Sequence, residues 1–131
     1  MPISYEYDQD QNIVNTYPYD ELSTLEIADY FIEMIKDDEI RMGFIELVNF
    51  ENVENFLISY NEAEKIIKAY NALNELKNIR ATIFIAERDL HYGMARMLQT
   101  LHEMNNSGDN MFVVRTKERA KQVITEMEPH G

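Results

Sequence analysis

The chain contains no cysteine. That removes a disulfide framework, a thiolate nucleophile and a thiolate metal site together, and with them the usual small stapled secreted scaffolds, so a cytoplasmic setting is expected. Glycine is scarce, at four residues. No Gly-x-Gly-x-x-Gly, Walker-type Gly-Lys-Ser/Thr or Gly-x-Ser-x-Gly sequence occurs, so the βα turns lack the usual phosphate cradle and nucleotide chemistry has no evident seat. No stretch approaches the roughly 20 apolar residues that cross a bilayer, and Met1-Pro2-Ile3-Ser4-Tyr5-Glu6-Tyr7-Asp8 lacks the basic-then-apolar order of an export signal. Positive charge is also short: 12 Lys and Arg face 24 Asp and Glu, a formal charge of -12. Such a chain repels a phosphate backbone, so neither nucleic acid nor an anionic membrane is an expected partner.

What is present suits a folded domain. Apolar residues make up 45% and charged residues 27% of 131 positions, near globular averages and enough for one core. A single domain over residues 1–128 is expected, with 129–131 as a tail.

Ile3 to Tyr7 alternates as a strand does, Asp8-Gln9-Asp10-Gln11-Asn12 is a polar turn, and Ile13 to Tyr17 is β-prone, which together predict a hairpin broken by Pro18 and Asp20. Ser23-x-x-Glu26 is a capping box, with Leu25, Ala28, Ile32 and Ile35 as the apolar stripe of the first helix. Met42 to Val48 reads as a strand followed by a loop rich in Asn and Glu. Ser59-x-x-Glu62 starts the second helix, whose stripe is Ala63, Ile66, Ile67, Tyr70, Leu73 and Leu76. Ala81 to Ala86 is apolar on both faces apart from Thr82, as a central strand is. Asp89 caps a third helix to about Met104, with Met94, Met97, Leu98 and Leu101 inward. Asn105 to Asn110 is a turn, Met111 to Val114 the last strand, and Thr116 precedes a closing helix with Ala120, Val123, Ile124 and Met127 on one face.

The order ββαβαβαβα predicts an α/β fold: an N-terminal β-hairpin plus a mostly parallel five-stranded sheet, with four helices mainly on one face. Phe44, Val48, Phe84 and Phe112 cannot all be hidden by one layer, so the helix-poor face calls for another cover: the hairpin, a second copy or a ligand.

Few constellations carry chemistry. Asp8-x-Asp10-x-Asn12 copies the start of a calcium loop, but Ile13 stands where Gly is needed and Tyr19 where Glu is needed, so a turn is the better reading. His91, His102 and His130 lack a partner three or four residues away, so no metal site is expected; the first two are expected to be exposed or partly packed. Glu46 interrupts an apolar strand and is either paired or at a sheet end. Gly93 inside a helix implies close approach to the sheet, and Arg96 is placed to pair with a carboxylate at a strand end. A phosphate on Ser59 would lie beside the positive end of a helix dipole.

Asp89-Leu90-His91-Tyr92-Gly93-Met94-Ala95-Arg96-Met97, directly after an apolar strand, closely resembles a segment of the SpoIIAA-like (STAS/CRAL-TRIO-related) proteins. The similarity extends over nearly the whole chain, through Ile3-Ser4-Tyr5-Glu6, Asp20-Glu21-Leu22-Ser23, Glu46-Leu47 and Ser59-x-x-Glu62. It implies a (βα) superhelix shared by anti-sigma-factor antagonists and lipid-transfer CRAL-TRIO domains. The antagonists carry a phosphorylated serine in an Asp-Ser-Ser-Gly-like setting at the start of the helix after the middle strand. Here that stretch is Leu57-Ile58-Ser59-Tyr60-Asn61-Glu62, without the preceding Asp or the following Gly, and Ser59 is the candidate switch.

The resulting expectation is a non-enzymatic regulatory or binding module with no cofactor. It would act on a protein partner or by self-association, a homodimer included, through Glu46, Tyr60, Arg88, Asp89, His91, Tyr92 and Arg96. The alternative is a binder of a small apolar ligand or lipid, and a weaker third reading is a hydrolase dependent on Glu46.

Overall fold

The computed structural model describes residues 3–105 and 110–127. Strands β1 (Ile3–Asp8) and β2 (Ile13–Ser23) form the expected hairpin, antiparallel from Ile3↔Pro18 to Asp8↔Ile13. Its turn is closed by Asp8 Oδ1, which accepts from Gln11 N at 3.1 Å, and by Asn12 at φ 57, a left-handed position that Asn tolerates.

Pro18 and Asp20 do not end β2, contrary to the local reading. The pairing of β2 with β3 (Ile45–Asn49) stops at Thr16, and its pairing with β4 (Asn52–Leu57) starts at Tyr19. Pro18 falls in the gap between the two, and Asp20, at φ 58, stands at a register shift. A residue without an N–H is tolerated where ladder pairing is interrupted. The stretch read as a loop after Val48 is β4, so the sheet has six strands and not five. Both β3 and β4 run parallel to β2 with only Phe50 and Glu51 between them, so they act as one bent strand along a long neighbour.

Helix α1 (Thr24–Lys36) is capped by Ser23 and α2 (Tyr60–Lys77) by Ser59, both as full capping boxes; α2 ends on Asn78, left-handed at φ 52. Strand β5 (Ala81–Ile85), buried at all five positions, pairs with β3 on one side and with β6 (Met111–Val114) on the other. Helix α3 (Asp89–Asn105) connects β5 to β6, and α4 (Lys117–Met127) closes the chain. The spatial order is β1-β2-β3-β5-β6, with β4 beside β2. Most of the Asn105 to Asn110 turn, and His130, lie outside the described residues.

Three helices share one face. Val14, Met34, Phe44, Val48, Ile67, Leu73, Phe84 and Leu98 belong to the cluster under α1, α2 and α3. The opposite face is covered by α4, whose Ala120 and Val123 meet Ile13, Ile45, Ile83, Ile85 and Val114, with Phe112 alongside. The four residues expected to need two layers are thus divided between them, Phe112 on one side and the other three on the other. α4 packs on β5 and β6, and beyond it Tyr17 and Tyr19 of β2 remain exposed.

Three expectations about α3 are corrected. His91 and His102 are 1% and 2% exposed, because each finds a polar partner inside: His91 Nε2 lies 2.8 Å from the Val53 carbonyl and His102 Nε2 lies 2.8 Å from Asn110 Oδ1. Leu98 and Leu101 point inward as expected, but they share that face with the histidines and Ala95, while Met94 and Met97 are only partly buried. Gly93 is exposed, and a Cβ there would meet nothing within 4 Å, so close helix packing is not its reason.

Candidate functional site

Two places concentrate unusual chemistry. The first lies where α1 and α2 begin. Parallel pairing of β2 with β4 puts Ser23 opposite Leu57, so the two strands deliver their helices side by side. At Ser59 the backbone N–H donates to Glu62 Oε1 at 2.9 Å, and Ser59 Oγ accepts from Glu62 N at 3.2 Å. Hydrogen bonds from the Ser59 backbone N–H first, and then from its hydroxyl, hold the Glu62 carboxyl below the ordinary carboxylate range. Ser59 is exposed, and around this end stand Leu25, Leu57 and Tyr60, exposed by 70%, 49% and 55%.

Next to it, the start of α3 is tied to the segment before α4. Arg115 Nη1 donates to Asp89 Oδ1 at 2.9 Å and to the Glu87 carbonyl at 3.0 Å, and its guanidinium carbon lies 4.0 Å from the Tyr92 ring centroid. Arg115 therefore fills the role that the sequence suggested for Arg96, which instead donates to Gln99 Oε1 at 2.8 Å on the helix surface. Both guanidiniums are planar and able to fork; only the three-dimensional return of β6 beside β5 shows which one reaches Asp89. Arg88 is exposed, and its carbonyl accepts from Tyr92 N at 2.9 Å. His91 faces the other way, its ring 6.1 Å from both Phe50 and Phe56, which joins α3 to β4 from within. Of the residues expected at a contact surface, Tyr60, Arg88, Asp89, Tyr92 and Arg96 are on or near the surface, while His91 and Glu46 are not.

The second place is buried. Glu46, 3% exposed, points from β3 toward the helices. Tyr30 Oη of α1 donates to Glu46 Oε2 at 2.5 Å, and Thr82 Oγ1 of β5 donates to Oε1 at 2.8 Å. Each hydroxyl has a further partner: Thr16 Oγ1 lies 2.6 Å from Tyr30 Oη, and Tyr70 Oη of α2 lies 2.8 Å from Thr82 Oγ1. With Tyr30 and Thr82 committed to the carboxyl, Thr16 and Tyr70 become the donors, and the chain of hydroxyls runs inward from both sides to one acceptor. Desolvation raises the Glu46 carboxyl pKa, against the opposing effect of its two hydrogen bonds. Burial likewise raises the Tyr30 and Tyr70 phenols. Sequence reasoning flagged Glu46 and missed both the two hydroxyls that bind it and the two behind them.

Beside this cluster lies a cavity of about 60 Å³ whose lining includes Glu46, Ile67, Phe84, Met94 and Leu98. At ~24 cal/mol per Å³, leaving such a space unfilled costs on the order of 1 kcal/mol. Among the described residues, no group of three His, Asp or Glu side chains is arranged to hold a metal ion, and no helix is long and apolar enough to cross a membrane.

No family model matches the chain, and no curated protein is similar to it in sequence. Solved structures of similar architecture include two. One is the anti-sigma factor antagonist SpoIIAA in its unphosphorylated form, at TM-score 0.53 and 12% identity over 96% of this chain and 99% of that one. The other is an uncharacterized protein of the DUF3478 family, with a SpoIIAA-like fold, from Shewanella loihica PV-4, at TM-score 0.54 and 15% identity over 93% and 91%. At these identities the likeness speaks for the fold, which hosts its functions as grafted sites. The hairpin, the parallel sheet and the four helices of this chain form a SpoIIAA-like fold.

Proposed function

We propose that the chain is a non-enzymatic, STAS-type module that binds a protein partner at the corner where α1 and α2 begin. The observation that carries this reading is the trio Leu25, Leu57 and Tyr60, large apolar side chains left exposed around an accessible serine cap. Apolar and aromatic residues that the fold leaves in water are the usual anchors of an interface. The fold neighbour is itself an anti-sigma factor antagonist solved in an unphosphorylated form, which supports Ser59 as the regulated position. A phosphate on Ser59 would stand at a helix N-terminus, where the dipole favours it, and beside the Glu62 carboxylate, which it would repel from its capping position.

The test compares variants at the two ends of α2. A partner co-purified and cross-linked through a photoreactive group at Leu25 should be lost with Leu57→Asp or Tyr60→Ala and weakened by Ser59→Asp. It should be retained with Ser59→Ala and with Leu76→Asp, since Leu76 is equally apolar and exposed but sits at the far end of the helix. Equal loss with Leu76→Asp would refute the location, and equal binding by Ser59→Asp and Ser59→Ala would refute the switch.

A further inference from the structure

Helix α4 packs on β5 and β6 and leaves a groove of about 180 Å³ between its flank and strands β2 and β3. The floor is Leu47 of β3 and Ile85 of β5, with the exposed Tyr17 of β2 alongside. Lys117 and Lys121, one turn apart on α4, form the other wall.

Two features distinguish this groove from a plain surface hollow. The first is charge: both charged side chains in its lining are lysines, in a chain with 24 Asp and Glu against 12 Lys and Arg. Lys121 has no carboxylate partner among the described residues, and Lys117 has only Glu51, at 4.0 Å with both side chains largely in solvent. The second is Asn49, which is 9% exposed and lines the groove. Its Oδ1 accepts from Glu51 N at 3.0 Å, which fixes the orientation of the amide, and its Nδ2 donates to no group among the described residues. Carboxylates begin outside the lining: Glu51 and Glu118 belong to a neighbouring hollow of about 270 Å³ that shares Lys117, and Glu6 of β1 stands opposite Asn15.

We propose that this groove binds a small aromatic monocarboxylate, its carboxylate on Lys117, Lys121 and the Asn49 amide and its ring on Leu47, Ile85 and Tyr17. The donors dictate the head, since two ammonium groups and an amide N–H call for a group that only accepts. The surroundings limit that head to one: a second carboxylate would meet Glu51 and Glu118 on one side or Glu6 on the other. The floor dictates the body, because aliphatic side chains beside a phenol ring favour a flat apolar guest. Size agrees. About 180 Å³ slightly exceeds the ~150 Å³ of an engineered cavity that holds benzene, which gives room for one ring and its carboxylate. The groove is independent of the docking corner, because Leu25, Leu57 and Tyr60 are not in its lining.

NMR titration of the whole chain tests it, with benzoate, benzamide and benzylamine as one ring with three head groups. Benzoate should shift the Leu47 and Ile85 methyls and the Asn49 side-chain amide saturably. It should bind about fivefold tighter than benzamide, the scale of two exposed charge pairs, and lose that advantage as salt is raised. Benzylamine should leave these signals unmoved. Lys117→Gln and Lys121→Gln together should bring benzoate to within about twofold of benzamide, while Lys68→Gln on α2 should leave the preference intact. Asn49→Asp, which keeps the acceptor for Glu51 N and loses the donor, should abolish benzoate binding. Absence of a saturable shift, equal affinity for benzoate and benzamide, a preference that survives the double lysine replacement, or shifts confined to Leu25 and Leu57 would each overturn the proposal. Should Asn49→Asp fail to fold, intermolecular NOEs in the unaltered protein decide. The ring protons next to the carboxylate must lie by the Lys121 methylenes and the far ring proton by Tyr17; the reversed orientation refutes the assignment.

Discussion

Glu46 gives the stability of this fold a pH dependence of definite sign. Glu46 is 3% exposed, and burial raises its carboxyl pKa above the ordinary carboxylate value despite the hydrogen bonds from Tyr30 and Thr82. In the unfolded chain the same carboxyl titrates near an unperturbed ~4.3. Below that value both states hold the proton and the group contributes no pH dependence. Above it the unfolded state releases the proton while the folded state keeps it, so stability falls as pH rises, by up to about 1.4 kcal/mol per pH unit. The loss is complete once pH passes the folded-state value. For a chain of this size, each kcal/mol moves the melting midpoint by roughly 3–5 °C.

The perturbation is Glu46→Gln, which keeps the shape and cannot titrate. Urea unfolding of both proteins from about pH 4 to about pH 8, subtracted point by point, isolates the single group from the other acidic residues of a chain whose formal charge is -12. The difference, native minus variant, should be level at the acid end and then decline with rising pH. Tyr30→Phe, which removes a donor that favours the charged form, should extend the decline to higher pH. A level difference throughout, or one that rises with pH, would mean that the hydroxyls stabilise the carboxylate by more than burial penalises it, and the reasoning would fail.

Gly93→Ala should stabilise the protein by about 0.5–1 kcal/mol in urea unfolding, since the position is helical, exposed and open around the added methyl. Ser23→Ala and Ser59→Ala should each cost about 0.5–2 kcal/mol, because each removes a hydroxyl that accepts a helix-end amide; a Ser59→Ala variant as stable as the native protein would contradict the cap. Leu73→Ala, at a fully buried position on the inner face of α2, should cost about 2–5 kcal/mol, and a smaller value would mean that the core closes over the missing atoms.

What was legible in the sequence was local. Ser23 and Ser59 announce helix starts because the capping box needs only residues three apart, and both boxes form. Asp8 to Asn12 announces a turn for the same reason. The failures share a cause in long-range pairing. Asn52, Glu54 and Asn55 read as loop because only Val53 and Phe56 of β4 reach the core; the strand exists because β2 lies beside it. Pro18 ends a strand in isolation, yet here it falls between two partners. His91 looks solvent-facing until the Val53 carbonyl, 38 residues away, is found opposite its Nε2.

The buried cluster is the instructive case, because its parts were visible singly. Thr16, Glu46 and Thr82 each interrupt an apolar strand, and each alone is tolerable: a threonine fits a strand, and a lone glutamate can sit at an edge. Register changes their meaning. Glu46 pairs directly with Thr82, and Val14 with Glu46, which sets Thr16 one side-chain step along the same face of β2. Three adjacent strands thus place their exceptions together, under the two helices whose Tyr30 and Tyr70 supply the remaining hydroxyls. Apolar substitutions could fill that space with less desolvation cost. A core that instead keeps a carboxyl and four hydroxyls ties α1 and α2 to three strands by directed bonds, Tyr30 to Glu46 and Thr16 on one side and Tyr70 to Thr82 on the other.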